Sequence, residues 1–339
     1  MAIQWMDNFR AYGTDGAVLN GTQWADIGTA TDPDSNAPAG SICAIMRSYS
    51  SGADSGGKFN LPTPGTHIGM AFRIWLSSFD QLPGFSFRNT GNGGLYEFYV
   101  GANGSVYVNT DQGLLADTVA PILTLNSWIH LEVRINTVTG EVAFWREGIP
   151  VSALTVTDPS PINQSVGILA FSNTSPGGAT FDTGCRMKDF VAYDGATQIG
   201  PVSVLTLRPS ADVSSGWTKS SGTVDYSLIN EDGPPDDLGY IQAPYPPPAA
   251  SIMQLENLPA DIVAIRALQT QVRAAKSDGG DGNVQVSLIS NGVLDDGANR
   301  PISTTFSYYT DVSETDPNTA AAWTPTAVNS AQIKINRTL

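Results

Sequence analysis

The chain has 339 residues, of which 41% are hydrophobic and 14% charged. That is enough for about two domains and excludes intrinsic disorder, which needs many charges and few apolar groups. A formal net charge of −15 excludes nucleic acid and anionic membranes as partners, because affinity for both comes from lysine and arginine.

The opening, MAIQWMDNFRAYG, lacks the basic start and apolar run of a secretory signal. No stretch approaches the ~20 apolar residues of a membrane span. A soluble protein made in a cytoplasm, with no membrane insertion, is therefore expected. Two cysteines, Cys43 and Cys185, form neither a disulfide framework nor a zinc site. Two buried thiols are the expectation, and one long-range bridge is the alternative.

Strands dominate the first 200 residues. In HIGMAFRIWLSS, Met70, Phe72, Ile74 and Leu76 point one way, and Arg73, Trp75 and Ser77 the other. That period of two marks a strand with one buried face. LYEFYVGANGSVYVNT reads as a hairpin turning at Asn103-Gly104, a pair that tolerates positive φ. WIHLEVRI puts Ile129, Leu131, Val133 and Ile135 on a core face, and Thr139-Gly140 turns the chain into EVAFWREG. SVGILAFSN and MKDFVAYDG read as closing strands.

A boundary is expected near Gly200-Pro201, giving domains 1–200 and 201–339. The second opens on VSVLTLRPS and carries a Pro-rich loop over 230–251. Pro246 to Pro248 favour polyproline II and cannot join a central ladder. DIVAIRALQTQVRAAK fits either a helix or a long strand that pairs with NVQVSLIS through SDGGDG. TTFSYYTDVS and AQIKINRTL complete the pattern. The expected fold class is all-β, with two β-sandwich domains.

Evidence for chemistry is thin. Glycan cleavage needs two carboxylates flanking one bond, and a Glu-x-Asp-x-Glu strand would supply them. None occurs: Glu97 stands alone, Glu132 lies between His130 and Arg134, and Glu141 and Glu147 bracket a strand. All four read as solvated strand edges. His67 reads as a loop residue, and His130 as a strand residue hydrogen-bonded to a neighbouring loop. No Gly-x-Ser-x-Gly elbow is present. GNGGLYEF precedes a strand, so it is a turn and not a phosphate loop. SDGGDGN and LDDGAN space their acids as calcium loops do without matching an EF-hand. Asn20-Gly21-Thr22 is a chance glycosylation triplet.

Trp75 and Trp145 are the residues that stand out, because alternation turns both away from the core, Trp75 beside Arg73. Trp75, Arg73 and Trp145 are the candidate ligand or interface residues; no catalytic or metal-binding residue is proposed. The rings could meet another protein, lie under a second layer of the same chain, or stack on a sugar.

The order of these segments carries a resemblance. SWIHLEVRINTVTGEVAFWREGIPV (Ser127 to Val151) resembles the central hairpin of laminin-G-like, concanavalin A-like jelly rolls. The opening, followed by NGTQWADIG, is similar to the start of such proteins encoded by tailed bacteriophages. YSLINEDGPPDDLGYI, IVAIRALQTQVRAAKSDGGDGNVQVSLISNG and TDPNTAAAWTPTAVNSAQIKI resemble a companion domain of phage virion proteins, in which the middle stretch is β.

The resemblance implies a concanavalin-like jelly roll over 1–200 and a non-enzymatic structural component of a tailed-phage virion, in the capsid decoration or the tail. Such a protein would work in multiple copies, with itself and other virion proteins as partners, as a homo-oligomer located in the virion. The alternative is an adhesin of a tail fibre or spike that binds a host surface glycan; a glycan depolymerase ranks behind both. No cofactor is expected beyond the calcium ion that some concanavalin-like domains hold.

Overall fold

The computed structural model describes residues 2–9, 24–25, 31–32, 43–45, 58–79, 82–174, 185–231, 237–243 and 250–338. Asn20-Gly21-Thr22 and Pro246 to Pro248 lie outside these residues. The chain divides into two compact units, Met1–Val204 and Leu205–Leu339. Both are built from strands, and no helix among the described residues is long and apolar enough to cross a membrane.

The strands of the first unit, in chain order, are β1 (Ala2–Asp7), β2 (Trp24–Ala25), β3 (Thr31–Asp32), β4 (Cys43–Ile45), β5 (Lys58–Gly65), β6 (His67–Leu76), β7 (Leu82–Asn89) and β8 (Gly94–Val100). They continue with β9 (Val106–Thr110), β10 (Gly113–Asp117), β11 (Ile129–Asn136), β12 (Glu141–Arg146), β13 (Ile149–Pro150), β14 (Val156–Thr157), β15 (Val166–Thr174) and β16 (Cys185–Asp194). Two antiparallel sheets result. The first runs β13-β12-β11-β6-β16-β4-β3, with β1 on β16 and β14 on β12; the second runs β10-β9-β8-β7-β15-β5-β2. This is a jelly-roll β-sandwich.

Alternation explains the sandwich. Met70, Phe72, Ile74, Leu131, Val133, Val142 and Phe144 face inward from the first sheet and are all buried. Rings from both sheets interlock between them. Phe72 meets Phe85 edge-on at 5.3 Å, and Phe85 stacks on Phe98 at 5.0 Å. Each such pair adds about 0.5–1.5 kcal/mol to the burial itself. His67, expected in a loop, is instead the first residue of β6 and half-buried.

The hairpin read at Asn103-Gly104 joins β8 to β9 in the register Val100↔Val106, Tyr99↔Tyr107 and Glu97↔Asn109. Gly104 has φ +85°, and a Cβ there would lie 2.6 Å from the Phe79 ring and 2.8 Å from the Leu123 carbonyl. Gly104→Ala therefore combines left-handed strain with a backbone collision. A loss of about 2–4 kcal/mol is expected in urea unfolding of the first unit.

On the cysteines, β16 pairs with β4 as Arg186↔Ile45 and Met187↔Ala44. Cys43 and Cys185 thus sit three positions apart along neighbouring strands, about 10 Å, which is farther than a disulfide spans.

The second unit contains β17 (Pro209–Ser214), β18 (Thr218–Lys219), β19 (Ile241–Gln242), β20 (Ala250–Leu255), β21 (Leu268–Ala274), β22 (Asn283–Ser290), β23 (Val293–Asp296) and β24 (Arg300–Pro301). After them come β25 (Ser307–Ser313), β26 (Thr315–Asp316), β27 (Ala321–Ala322), helix α1 (Pro325–Ser330) and β28 (Gln332–Thr338). Its main sheet is β17-β20-β28-β22-β23 with β24 on β22, and β21 pairs with β25 as a separate ribbon. Val284 and Val286 of β22 join Met253 and Ile335 in a core against which Val272 and Tyr309 of the ribbon pack. The unit is a two-layered sandwich.

The ambiguous segment is a strand from Leu268 onward, with no helix. Its partner corrects the expected hairpin, however: β21 pairs with β25, not with the neighbouring NVQVSLIS strand. With Val272 and Ala274 turned toward the core, the ribbon has to lie across the main sheet and not beside it. One short helix escaped the sequence reading. Thr324 caps α1 by accepting the Ala327 N–H at 3.1 Å, with Pro325 in the first turn, both established start signals.

Candidate functional site

Each sheet of the first unit has an outer face, and the two differ. On the first sheet, Trp75 and Arg186 are cross-strand neighbours, and the Arg186 guanidinium lies 4.1 Å from the centre of the Trp75 ring. Trp75 is 7% exposed and Arg186 1%. Arg73 is half-buried, its Nε 3.4 Å from the Asp189 carboxylate. Trp145 is half-buried beneath the Arg134 guanidinium, 5.5 Å from its centre. Arg134 also pairs with Glu141. The structure therefore places Trp75, Arg73 and Trp145 on one sheet face, each already in contact with a charged neighbour.

A segment of the same unit crosses this face. Glu132, read from the sequence as a solvated edge, is wholly buried. Its Oε1 accepts from the Tyr193 hydroxyl at 2.6 Å and the Ile199 N–H at 2.8 Å; its Oε2 accepts from the Gly200 N–H at 2.9 Å. Gly69 makes this possible, because a Cβ there would fall 2.1 Å from the Tyr193 ring that leans over it. Farther along, Val204 donates its N–H to Asp189 Oδ1 at 3.0 Å. Asp189 itself sits at a bulge in β16 with φ +54°, and burial raises its pKa. Residues 195–204 thus form a strap anchored by two carboxylates. Sequence reasoning missed it because Glu132 looks like any outward strand residue.

His130 lies beside this anchor. Its backbone makes the expected bond to a neighbouring turn, donating to Glu147 Oε1 at 2.7 Å. The ring makes none: it is wholly buried, with both nitrogens unpartnered. Burial, helped by the Arg73 charge, pulls its pKa down to about 4. The folded unit then holds neutral His130 until about pH 4, whereas an unfolded chain binds the proton below about 6.5. Stability is complete above pH 6.5 and falls as pH drops from 6.5 to 4, by about 3 kcal/mol. His130→Phe should flatten urea stability of the first unit over that interval.

The outer face of the second sheet is built differently. Ser86, Glu97 and Asn109 lie side by side on β7, β8 and β9, and Gly84, Tyr99 and Tyr107 form the adjacent row. The Tyr99 and Tyr107 rings stack at 5.3 Å with 25° between their planes. Tyr99 donates its hydroxyl to Glu97 Oε2 at 2.7 Å; burial first, then this bond, raises its pKa. Arg88, 7% exposed, donates from Nε to Ser86 at 3.0 Å and from Nη1 to Asn92 at 3.3 Å. Glu97, Tyr99, Tyr107 and Asn109 are half-buried and reach solvent. The Tyr107 hydroxyl and the Asn109 amide have no hydrogen-bond partner among the described residues.

Chemically, this is an aromatic ledge beside a carboxylate, an amide and a phenol. A ledge of this kind takes a ring with one apolar face and polar edges. The sequence signal lay in the hairpin itself: its register sets Tyr99 against Tyr107 and Glu97 against Asn109.

In the second unit, Asp225 is wholly buried and accepts from Lys219 Nζ at 2.7 Å, from Ser215 Oγ at 2.9 Å and from Ser251. Burial opposes the charge, but the bonds from Lys219, Ser251 and Ser215 outweigh it and lower the Asp225 pKa. Lys219 Nζ stands 2.6 Å from Ser215 Oγ.

Acids at calcium-like spacing have partners of their own: Asp295 of β23 accepts from the Ser313 hydroxyl. Asp278 accepts from the Gly280 N–H and Asp296 from the Ser287 hydroxyl. No group of three or more His, Cys, Asp or Glu able to hold a metal occurs among the described residues.

No family model matches the chain, and no curated protein matches it. Solved structures do. A protein of unknown function with a galectin-like fold from Bacillus subtilis aligns at 13% identity and TM-score 0.39, over 57% of this chain and 96% of that one. The Caenorhabditis elegans galectin LEC-6 aligns at 12% identity and TM-score 0.31, over 44% and 96%. A sialidase aligns at 11% identity and TM-score 0.33, over 41% of this chain and 14% of that one. Likeness at this level carries no inference about ligand or activity.

Proposed function

We propose that the chain is a non-enzymatic component of a tailed-phage particle, present in multiple copies, whose first unit binds a glycan through the outer face of its second sheet. The observation that carries the binding reading is the stacked Tyr99–Tyr107 pair beside Glu97 and Asn109. The particle reading rests on the sequence resemblance to phage virion proteins. The two are compatible, because a site near 1 mM yields only about −4 kcal/mol per copy, and repetition on one particle multiplies it.

Catalysis finds no support in the carboxylates. Glu132 has both oxygens committed to the strap, and of the two acids at the ledge Glu97 accepts from the Tyr99 hydroxyl and Asp117 from the Val119 N–H. The test is a glycan array and a reducing-sugar assay on the purified chain, with immunogold labelling of intact particles. Binding without sugar release, and gold on the particle surface, are expected. Sugar release would overturn the non-enzymatic reading, and absence of label the particle reading.

A further inference from the structure

We infer that the outer face of the second sheet selects uncharged saccharides and rejects acidic ones, a step that rests on the glycan-binding reading above. Glu97 sits in the row beside the stacked tyrosines, between Ser86 and Asn109. One of its oxygens holds the Tyr99 hydroxyl, and the other has no partner among the described residues. Asp117 lies opposite Tyr107 on the next strand, so a second carboxylate borders the ledge.

The cations described on this face have their donors engaged within the unit. Arg88 is nearly buried and donates to Ser86 and Asn92, and Lys58, on the same side of β5, is engaged as well. What the face offers a ligand is therefore a carboxylate oxygen, an amide and a phenol beside an aromatic surface. Sugar hydroxyls donate to such acceptors, and the apolar face of a pyranose ring fits the tyrosines. A sugar carboxylate could accept only from the Asn109 NH2 group and the Tyr107 hydroxyl, and Asn109 stands directly opposite Glu97, so the bond would bring two like charges together. Two like charges about 4–6 Å apart near a protein surface repel by enough to weaken binding about tenfold or more.

The test is titration of the full chain with matched pairs of oligosaccharides that differ only in an acidic residue, such as a neutral glycan and its sialylated form. A preference of at least about tenfold for the uncharged member is expected. Glu97→Gln should shrink that ratio several-fold, and raising salt from 0.05 to 0.5 M should shrink it in the wild type. Equal or tighter binding of the acidic member overturns the inference while leaving glycan binding intact, as does a ratio indifferent to Glu97→Gln. No binding of either member anywhere on a broad array defeats the glycan-binding reading beneath it.

Discussion

Replacing Glu132 with glutamine should cost the first unit about 3–5 kcal/mol of stability, the largest effect expected of any single polar substitution in it. The carboxylate is wholly buried and satisfies three donors at once: the Tyr193 hydroxyl and the Ile199 and Gly200 amides. Glutamine keeps the shape but turns an NH2 group toward at least one of those donors, leaving two buried N–H groups facing each other. In a unit of this size the loss should lower the melting temperature by roughly 6–20 °C.

The strap reports the same event locally. Hydrogen exchange at Ile199 and Gly200 should rise in the variant well before global unfolding. Glu141→Gln is the contrast. Its side chain is 43% exposed where it meets Arg134, so less than about 1 kcal/mol is expected. Equal effects from the two would show that Glu132 does not anchor the strap.

The second large effect is on binding. Tyr107→Ala should abolish measurable glycan binding by the isolated chain while leaving the melting temperature within a few degrees. Tyr107 is half-buried and stacked on Tyr99, so its removal exposes the ledge without opening the core. Loss of one stacking ring is worth about 1–1.5 kcal/mol, roughly tenfold in affinity. A site near millimolar then passes beyond detection. Tyr107→Phe keeps the stack and loses one hydroxyl, so weakened but measurable binding is expected. Trp145→Ala, on the opposite sheet, should leave glycan binding unchanged and lower stability instead, because its ring packs under Arg134.

The sandwich could be read from the sequence because its strands alternate cleanly. Met70, Phe72 and Ile74 sit inside because every second residue of HIGMAFRIWLSS is apolar. The ligand face was harder to see. Alternation says that Trp75 and Trp145 leave the core, but it does not say which neighbour meets them, and Arg186 and Arg134 come from strands distant or separate in sequence. Tyr99 and Tyr107 were equally visible, eight residues apart across a recognisable hairpin. Carrying the hairpin register through would have paired them. Glu132 was out of reach for a different reason: its partners lie 61 to 68 residues away, and nothing in LEVRI distinguishes a buried anchor from a solvated acid. The pairing of β21 with β25 has the same cause, since a sequence-adjacent turn, SDGGDG, competes with a partner more than thirty residues on.

The central claim, that the open face of the second sheet holds the saccharide, is tested most directly by residue-resolved NMR. Tyrosine rings and tryptophan indoles of the full chain would be labelled, and the best neutral oligosaccharide titrated in. The Tyr99 and Tyr107 ring signals are expected to move along one saturating curve while the Trp75 and Trp145 indoles stay still. Movement of those indoles with the tyrosines unmoved would contradict the claim.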